Sequence, residues 1–79
     1  KATDMERLIR ILSELHDDVD FSFETHLIDN GILDSLDIVT LITEINDEFD
    51  VSIPAEEIIP ENFNSANAIM ALINKLDEA

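Results

Sequence analysis

Residues 34–37, DSLD, place one serine between two carboxylates, shortly after Gly31, the only glycine in the chain. An apolar pattern with helical period begins directly after Asp34, so Ser35 is predicted to lie in the first turn of a helix. Free backbone N–H groups and the positive end of the helix dipole would stabilise a phosphodiester on its oxygen there. Ser35 is therefore a candidate acceptor for a phosphate-linked group. The alternative is that Ser35 only assists helix capping.

Catalysis and metal binding are less favoured for the same residues. His16 and His26 are candidate bases for Ser35, but acyl transfer also needs an oxyanion hole and a concave pocket, which small helical domains rarely supply. The two histidines are expected at a helix end and in a loop. An EF-hand with Gly31 at its sixth position would require ligands from His26 and Ile28, which calcium does not use. The chain is therefore not predicted to be an enzyme or to hold a metal.

The 79-residue chain is long enough for one domain with one core. Because no cysteine is present, disulfides cannot support this core, which must be built from the 46% of residues that are apolar. No apolar run reaches the length of a membrane span, and no secretion signal is recognisable. These features predict a cytoplasmic, monomeric domain that does not insert into membranes.

The charge is strongly acidic, with 19 Asp and Glu against 4 Lys and Arg. The basic residues, Lys1, Arg7, Arg10 and Lys75, all lie towards the termini. Nucleic acids and anionic membranes would be repelled, whereas a basic protein surface would be attracted. A cationic partner is one interpretation, and simple solubility is the other.

The first helix is predicted from about Asp4 to His16, with Thr3 and Glu6 as a capping box. Its apolar stripe consists of Met5, Leu8, Ile9, Ile11, Leu12 and Leu15. A loop of some eighteen residues, 17–34, should follow. The apolar side chains expected to anchor this loop are Phe21, Phe23, Leu27, Ile28, Ile32 and Leu33.

The second helix is predicted to begin with Asp34 as N-cap and to run to about Phe49. A helical wheel places Ile38, Ile42, Ile45 and Phe49 towards the core, flanked by Leu41 and Val39. The opposite face receives Leu36, Thr40, Thr43 and Asp47, with Asp37, Glu44 and Glu48 beside them. This outer face is acidic and carries one apolar residue, Leu36.

The rest of the chain predicts two more helices. A short one, AEEII, should end at Pro60, and a final one should begin near Asn64 or Ser65. Its buried side should contain Ala66, Ile69, Ile73 and Leu76, with Met70 at the edge. No segment alternates with a period of two, so the predicted fold is all-α, a bundle of three main helices and one short helix, with a long loop between helices 1 and 2.

The run GILDSLDIVTLITEINDEFDVSIPAEE resembles the acyl carrier protein family. The shared features are Gly31, the Asp34–Ser35–Leu36 triplet followed by Asp37, the EFDV helix end and the IP before a short helix. Helix order and the long first loop match as well, so the resemblance covers nearly the whole chain. It implies an acyl-carrier-like bundle, in which Ser35 holds a covalent 4'-phosphopantetheine attached by a phosphopantetheinyl transferase.

The resemblance also implies roles for the neighbouring residues. Asp34 and Leu36 would be recognised by the transferase. The outer face would dock onto basic patches of acyl- or aminoacyl-activating enzymes and downstream transferases; its residues are Asp37, Val39, Thr40, Thr43, Glu44, Asp47 and Glu48. Thr40 departs from the fatty-acid carriers, which often have an acid there.

The cargo stays open between fatty acyl, polyketide, amino acid and D-alanine. Residues 61–76, ENFNSANAIMALINKL, resemble the D-alanyl carrier proteins, whereas Asp37 departs from them because they usually have glycine at that position. Stiff isoleucines are expected beside helix 2, at positions 38, 42, 45, 58, 59 and 69, and favour a small cargo, unless isoleucine is simply the preferred core residue. A competing hypothesis is an unmodified acidic module that binds a basic partner.

Overall fold

The computed structural model describes residues 3–78. This part of the chain contains four α-helices and one 3-10 turn. In chain order they are α1 (Asp4–Leu15), α2 (Ser35–Phe49), the 3-10 turn (Ala55–Glu57), α3 (Pro60–Phe63) and α4 (Ala66–Asp77). The prediction of an all-α bundle with three main helices and a long first loop is confirmed. Lys1, one of the predicted terminal bases, lies outside the described residues.

The capping box predicted for α1 is present. Glu6 N–H donates to Thr3 Oγ1 at 3.1 Å, and Thr3 N–H donates to Glu6 Oε1 at 2.8 Å. Two N–H groups that helix geometry leaves without partners are thereby satisfied. The helix ends one residue earlier than predicted, because His16 adopts an extended backbone (φ −144°, ψ 99°) and serves as the C-cap.

The three long helices pack around one apolar core. Helix α1 packs on both α2 and α4, and α3 packs on α4. The core side chains are Leu8, Ile11, Leu12, Phe21, Leu27, Leu33, Leu41, Ile45, Ile53, Phe63, Ala66, Ile69, Met70, Leu72 and Ile73. Each fully buried Leu or Ile contributes about 1.5–3 kcal/mol relative to exposure, so these side chains supply most of the driving force for folding.

The short third helix was predicted wrongly. Pro60 begins α3 rather than ending a helix before it, because its fixed φ and missing N–H suit the first helical position. The two residues before it leave helical geometry: Ile58 has ψ 75° and Ile59 is extended, as residues before proline usually are. Only Ala55–Glu57 remains helical upstream, as a single 3-10 turn.

Helix α4 agrees with the prediction in position and in most of its buried residues. Ser65 is the N-cap, and its hydroxyl accepts from Ala68 N–H at 3.0 Å. Met70 and Leu72 are more deeply buried than the pattern suggested, whereas Leu76 is only half-buried near the helix end.

Most of the predicted anchors hold the long loop to the core. Phe21, Leu27 and Leu33 are buried, and Ile28 and Ile32 are half-buried against them. The expectation for Phe23 is wrong, since 82% of this residue is exposed. Phe23 N–H and Glu24 N–H both donate to the Asp20 carbonyl, and this tight turn buries Phe21 while leaving Phe23 outside.

Asn64 connects the loop to the segment before α4. Its Oδ1 accepts from Ile28 N–H at 3.0 Å and from Asp29 N–H at 3.1 Å, and its carbonyl accepts from Leu27 N–H at 2.9 Å. Asn64 Nδ2 also donates to Asp29 Oδ2 at 3.3 Å. One asparagine therefore satisfies three successive loop amides.

None of the helices in residues 3–78 combines the length and hydrophobicity that crossing a membrane would require.

We expect Asn64→Ala to lower the free energy of unfolding by about 1–3 kcal/mol, because two loop amides, of which that of Ile28 is partly buried, lose their acceptor. Urea unfolding measures this loss, and faster hydrogen exchange at the Ile28 and Asp29 amides should accompany it. Asn74→Ala, at an exposed position in α4, is the matched control and should change stability by only a few tenths of a kcal/mol. Equal losses in the two variants would contradict the role given to Asn64.

Candidate functional site

Ser35 occupies the first position of α2 and is exposed, as predicted from its sequence context. Among residues 3–78, no protein group forms a hydrogen bond with its hydroxyl. The predicted N-cap is also confirmed: Asp34 Oδ1 accepts from Asp37 N–H at 2.9 Å. In return, Asp34 N–H donates to Asp37 Oδ2 at 3.3 Å, which completes a capping box around Ser35. The serine is thus held in a fixed helical turn while its hydroxyl stays accessible.

A tight turn at Gly31 leads the chain into this helix. Gly31 has φ 72°, in the left-handed region that glycine adopts without strain, and its N–H donates to the Ile28 carbonyl at 3.0 Å. A Cβ added here would meet no atom within 4 Å, so the backbone angle rather than lack of space favours glycine. Leu33, buried two residues later, donates its N–H to the Leu27 carbonyl at 3.0 Å. The turn therefore delivers Asp34 and Ser35 to the surface directly after a buried anchor.

The outer face of α2 is as polar as predicted, but more apolar surface is present than the wheel indicated. Thr40, Thr43, Glu44 and Asp47 are exposed, as is Leu36, at 77%. Val39 was placed at the flank of the core, yet 63% of it is exposed. Leu36 and Val39, one turn apart, form an exposed apolar pair beside Ser35.

Two acids assigned to this face turn towards α1 instead. Arg7 Nε donates to Glu48 Oε2 at 2.7 Å, and Arg7 also donates to the Glu48 carbonyl at 2.6 Å. The guanidinium lies over the Phe49 ring, 4.6 Å from its centroid. At the other end of α2, His16 Nε2–H donates to Asp37 Oδ2 at 2.8 Å. Glu48 and Asp37 are half-buried by these contacts and are less available to a docking partner than the wheel predicted.

The hydrogen bond between His16 and Asp37 perturbs both side chains. It raises the pKa of His16, helped by the nearby Asp18 and Asp34 carboxylates and opposed by burial. The same bond lowers the pKa of Asp37, with a further contribution from the Asp34 N–H. Both changes favour an imidazolium–carboxylate pair at the start of α2.

An apolar depression of about 170 Å³ lies beside the first half of α2. Its lining consists of Ile28, Ile38, Ile58, Ile59, Pro60 and Phe63. Ile58 and Ile59 are 41% and 40% exposed, so the depression opens to solvent. By contrast, Ile45 and Ile69, which were expected to line the same region, are fully buried in the core.

Neither histidine is placed to activate Ser35. His16 is paired with Asp37, and His26 Nδ1 shares a hydrogen bond of 3.1 Å with the Thr25 hydroxyl. Within residues 3–78, no three His, Asp or Glu side chains form a group able to hold a metal ion. The arrangement therefore suits a group that another protein attaches to an exposed serine.

Comparison with known proteins agrees with this geometry. A family model described as "Phosphopantetheine attachment site" matches residues 6–73. The chain belongs to this family. Its cofactor is accordingly a covalently attached 4'-phosphopantetheine, and the protein is a carrier protein.

Individual relatives are D-alanyl carrier proteins of streptococci. The chain is 36% identical over 73 residues to that of Streptococcus mutans and to that of Streptococcus sanguinis, covering 91% of this chain and 92% of each relative. It is 35% identical over 75 residues to that of Streptococcus suis, covering 94% of this chain and 95% of the relative. No solved structure matched the chain significantly.

The first turn of α2 fits a phosphate-linked prosthetic group. The Ser35 hydroxyl is exposed and unbonded within residues 3–78, and the helix N-terminus favours a negative phosphate. The exposed Leu36 leaves no bulky cover over the serine. These observations are independent of the family match.

The long-range contacts of three side chains, His16, Arg7 and Asn64, were not predicted. Each one contacts a residue at least 21 positions away in the sequence. Periodicity within a helix carries no information about such pairs. The one available signal was that His16 ends the first helix, where a polar side chain can reach the start of the next.

We expect the contribution of the His16–Asp37 pair to stability to depend on pH. The raised pKa of His16 means that its contribution is complete below about pH 6.5 and is lost as pH rises through the folded-state value. The lowered pKa of Asp37 means that its contribution is present above about pH 3.9 and is lost as pH falls through the folded-state value. Wild type should therefore exceed His16→Gln in stability most between these limits.

Urea unfolding across a pH series measures this difference, with His26→Gln as the matched control. The control removes a histidine ring that contacts the Thr25 hydroxyl instead of Asp37, so it should not reproduce the loss seen for His16→Gln. A His16→Gln deficit that stays constant from acid to alkaline pH would argue against an ionic contribution.

Proposed function

We propose that Ser35 is the residue to which 4'-phosphopantetheine is attached, and that the chain carries a small aminoacyl group, D-alanine first among the candidates. The observation that supports the site best is the exposed, unbonded Ser35 hydroxyl at the first position of α2. The cargo is supported by the relatives, whose names state that they carry D-alanyl groups.

The other serines within residues 6–73 lack this combination of features. Ser13 is half-buried within α1, and the Ser22 hydroxyl donates to Asp20 Oδ1 at 2.5 Å. The Ser65 hydroxyl caps α4, and Ser52 is exposed but lies between helices. Ser35 alone among these serines joins exposure, an unbonded hydroxyl and a helix N-terminus.

The attachment reaction requires coenzyme A and a phosphopantetheinyl transferase. A bond forms between Ser35 Oγ and the phosphorus next to the pantetheine, and the pyrophosphate bond of coenzyme A breaks to release adenosine 3',5'-bisphosphate. The serine proton passes to a base on the transferase, because neither histidine of the chain reaches the hydroxyl. The attached group supplies a terminal thiol for thioester chemistry, which the cysteine-free chain lacks. The chain itself acts as a carrier rather than as a catalyst.

The outer face of α2 is proposed to bind the partner enzymes. Asp34 and Leu36, on either side of Ser35, are placed for recognition by the transferase. The exposed acids Glu44 and Asp47 would meet basic patches on an aminoacyl-activating enzyme and on downstream transferases, with Val39, Thr40 and Thr43 completing the contact. Asp37 and Glu48 would contribute less, because His16 and Arg7 already neutralise them.

A small cargo also agrees with the packing beside α2. The adjacent depression is shallow, and widening it would require movement of Ile38 and Phe63, of which Phe63 is fully buried. Isoleucine has a stiff χ1 angle and yields less readily than leucine or methionine. A long acyl chain would therefore have to open the core, whereas an alanyl group can stay exposed on the arm.

Incubation of the unmodified protein with coenzyme A and a broad-specificity transferase should add one phosphopantetheine, detected by intact mass. Ser35→Ala should gain none. Ser52→Ala, which removes another exposed serine, is the matched control and should be labelled like wild type. Labelling of Ser35→Ala would place the attachment at another residue, and no labelling of wild type would favour an unmodified module that binds through Leu36 and Val39.

Loading the attached arm with an octanoyl or an alanyl group tests the size of the cargo. We expect neither group to raise the melting temperature much above that of the protein with the free arm, because both stay outside the core. Melting curves and amide exchange of α2 measure the effect. A marked rise in stability and α2 protection for octanoyl alone would show that a long chain is buried, since a bound chain stabilises the state that encloses it.

A further inference from the structure

The first turn of α2 combines two electrostatic demands that oppose each other. A phosphate-containing substrate must approach Ser35, yet Asp34 and Asp37 place two carboxylates within two residues of it. Both carboxylates accept backbone N–H groups, so they cannot rotate away without breaking the capping box. Like charges at this distance oppose the approach of an anion.

His16 is the basic side chain that contacts this turn. Its Nε2 lies 2.8 Å from Asp37 Oδ2, the oxygen that also accepts from Asp34 N–H at 3.3 Å. The other basic side chains in residues 3–78 are engaged elsewhere. Arg7 and Arg10 contact Glu48 in the last turn of α2, and Lys75 contacts Glu57.

The imidazole also links the two ends of the long loop. His16 is the C-cap of α1, and its own N–H donates to the Leu12 carbonyl at 3.1 Å. Leu12 is fully buried, so the histidine is joined to the core on one side and to the capping box of α2 on the other. A side chain outside α2, His16, therefore helps to set the orientation of the Asp37 carboxylate.

We propose that His16 is a positioning residue for phosphopantetheine attachment at Ser35, acting through Asp37. Its imidazolium holds the Asp37 carboxylate in the capping geometry and offsets its charge against the incoming phosphate. The inference rests on the function proposed for Ser35. The charged groups that face His16 are Asp37 in α2, Asp34 at its N-cap and Asp18 in the loop, and all three favour the cationic imidazole.

The test measures kcat/KM for transferase-catalysed labelling of the full chain with coenzyme A across a pH series. Relative to wild type at the same pH, His16→Gln should be labelled roughly 3- to 10-fold more slowly at about pH 6, where the imidazole is charged. The ratio should approach one as the pH rises through the raised pKa of His16 and the imidazole loses its proton. Comparing variants at each pH removes the transferase's own pH dependence.

Two further variants separate charge from packing. His16→Lys, which keeps a cation at this position, should be labelled at least as fast as wild type at about pH 8.5. His26→Gln, which removes a ring that contacts the Thr25 hydroxyl and not Asp37, should be labelled like wild type in the same series. A merely structural role for His16 would slow His16→Gln by the same factor throughout and would leave His16→Lys without any advantage.

A measurement on the wild-type protein keeps the inference testable if a variant folds poorly. The backbone amide signals of Asp34 and Ser35 should shift with the same midpoint as the His16 ring in an NMR titration. The inference fails if labelling proceeds but the His16→Gln ratio does not vary with pH, or if those amides do not follow His16. If Ser35 is never labelled, the proposed function fails as well, while the amide titration still reports on the link between His16 and α2.

Discussion

The hydrogen bonds that Asn64 accepts from three successive loop amides determine where α2 begins. Residues 16–34 connect α1 to α2, and fixing each of them costs about 1–2 kcal/mol of backbone entropy. Buried Phe21, Leu27 and Leu33 offset much of this cost, but apolar contacts alone do not fix the direction of the backbone. The Asn64 bonds to Leu27, Ile28 and Asp29 supply that direction. The turn at Gly31 and the capping residue Asp34 come directly after this segment, so their positions depend on it.

The ion pairs divide the surface into two parts of different character. The bases Arg7 and Arg10 contact Glu48, and Lys75 contacts Glu57. Because these acids are neutralised, the excess negative charge lies on the remaining surface, including Glu44 and Asp47 on the outer face of α2. Two exposed apolar residues, Leu36 and Val39, lie on the same face as those acids. Acids that only maintained solubility would not need apolar neighbours, whereas a docking surface combines apolar contact with charge that steers the partner.

The features that the sequence predicted well are those encoded within one helix. Capping by Thr3 and Asp34, the exposure of Leu36 and the burial of Leu41 and Ile45 depend on neighbours three or four residues away. The exposure of Val39 depends instead on which other parts of the chain cover that side of α2. A helical wheel describes one helix and gives no information about its neighbours.

The features that the sequence did not predict depend on contacts or turns outside a single helix. Asp37 and Glu48 are predicted on the docking face, and a helical wheel could not show that His16, the C-cap of α1, and Arg7 in α1 also bind them. Phe23 is apolar, yet the turn at Asp20 directs it outward. Proline is compatible with the end of a helix, as predicted, and equally with its first position. Because Ile59 has an extended backbone, Pro60 begins α3.

The capping box at the start of α2 leaves the backbone groups next to Ser35 available. Asp37 N–H is bonded to the Asp34 carboxylate, and Ile38 N–H makes the first helical bond to the Asp34 carbonyl at 3.0 Å. Within residues 3–78, no protein acceptor takes the N–H groups of Ser35 and Leu36. Free N–H groups at a helix start are directed away from the helix along its axis, where an anion finds them. A cap formed by residues 34 and 37 therefore stabilises the helix without occupying the two donors nearest to a phosphate on Ser35. Capping by Ser35 itself would have consumed its hydroxyl, so a cap at Asp34 lets the same turn begin a helix and leave free the hydroxyl of the serine proposed as the attachment site.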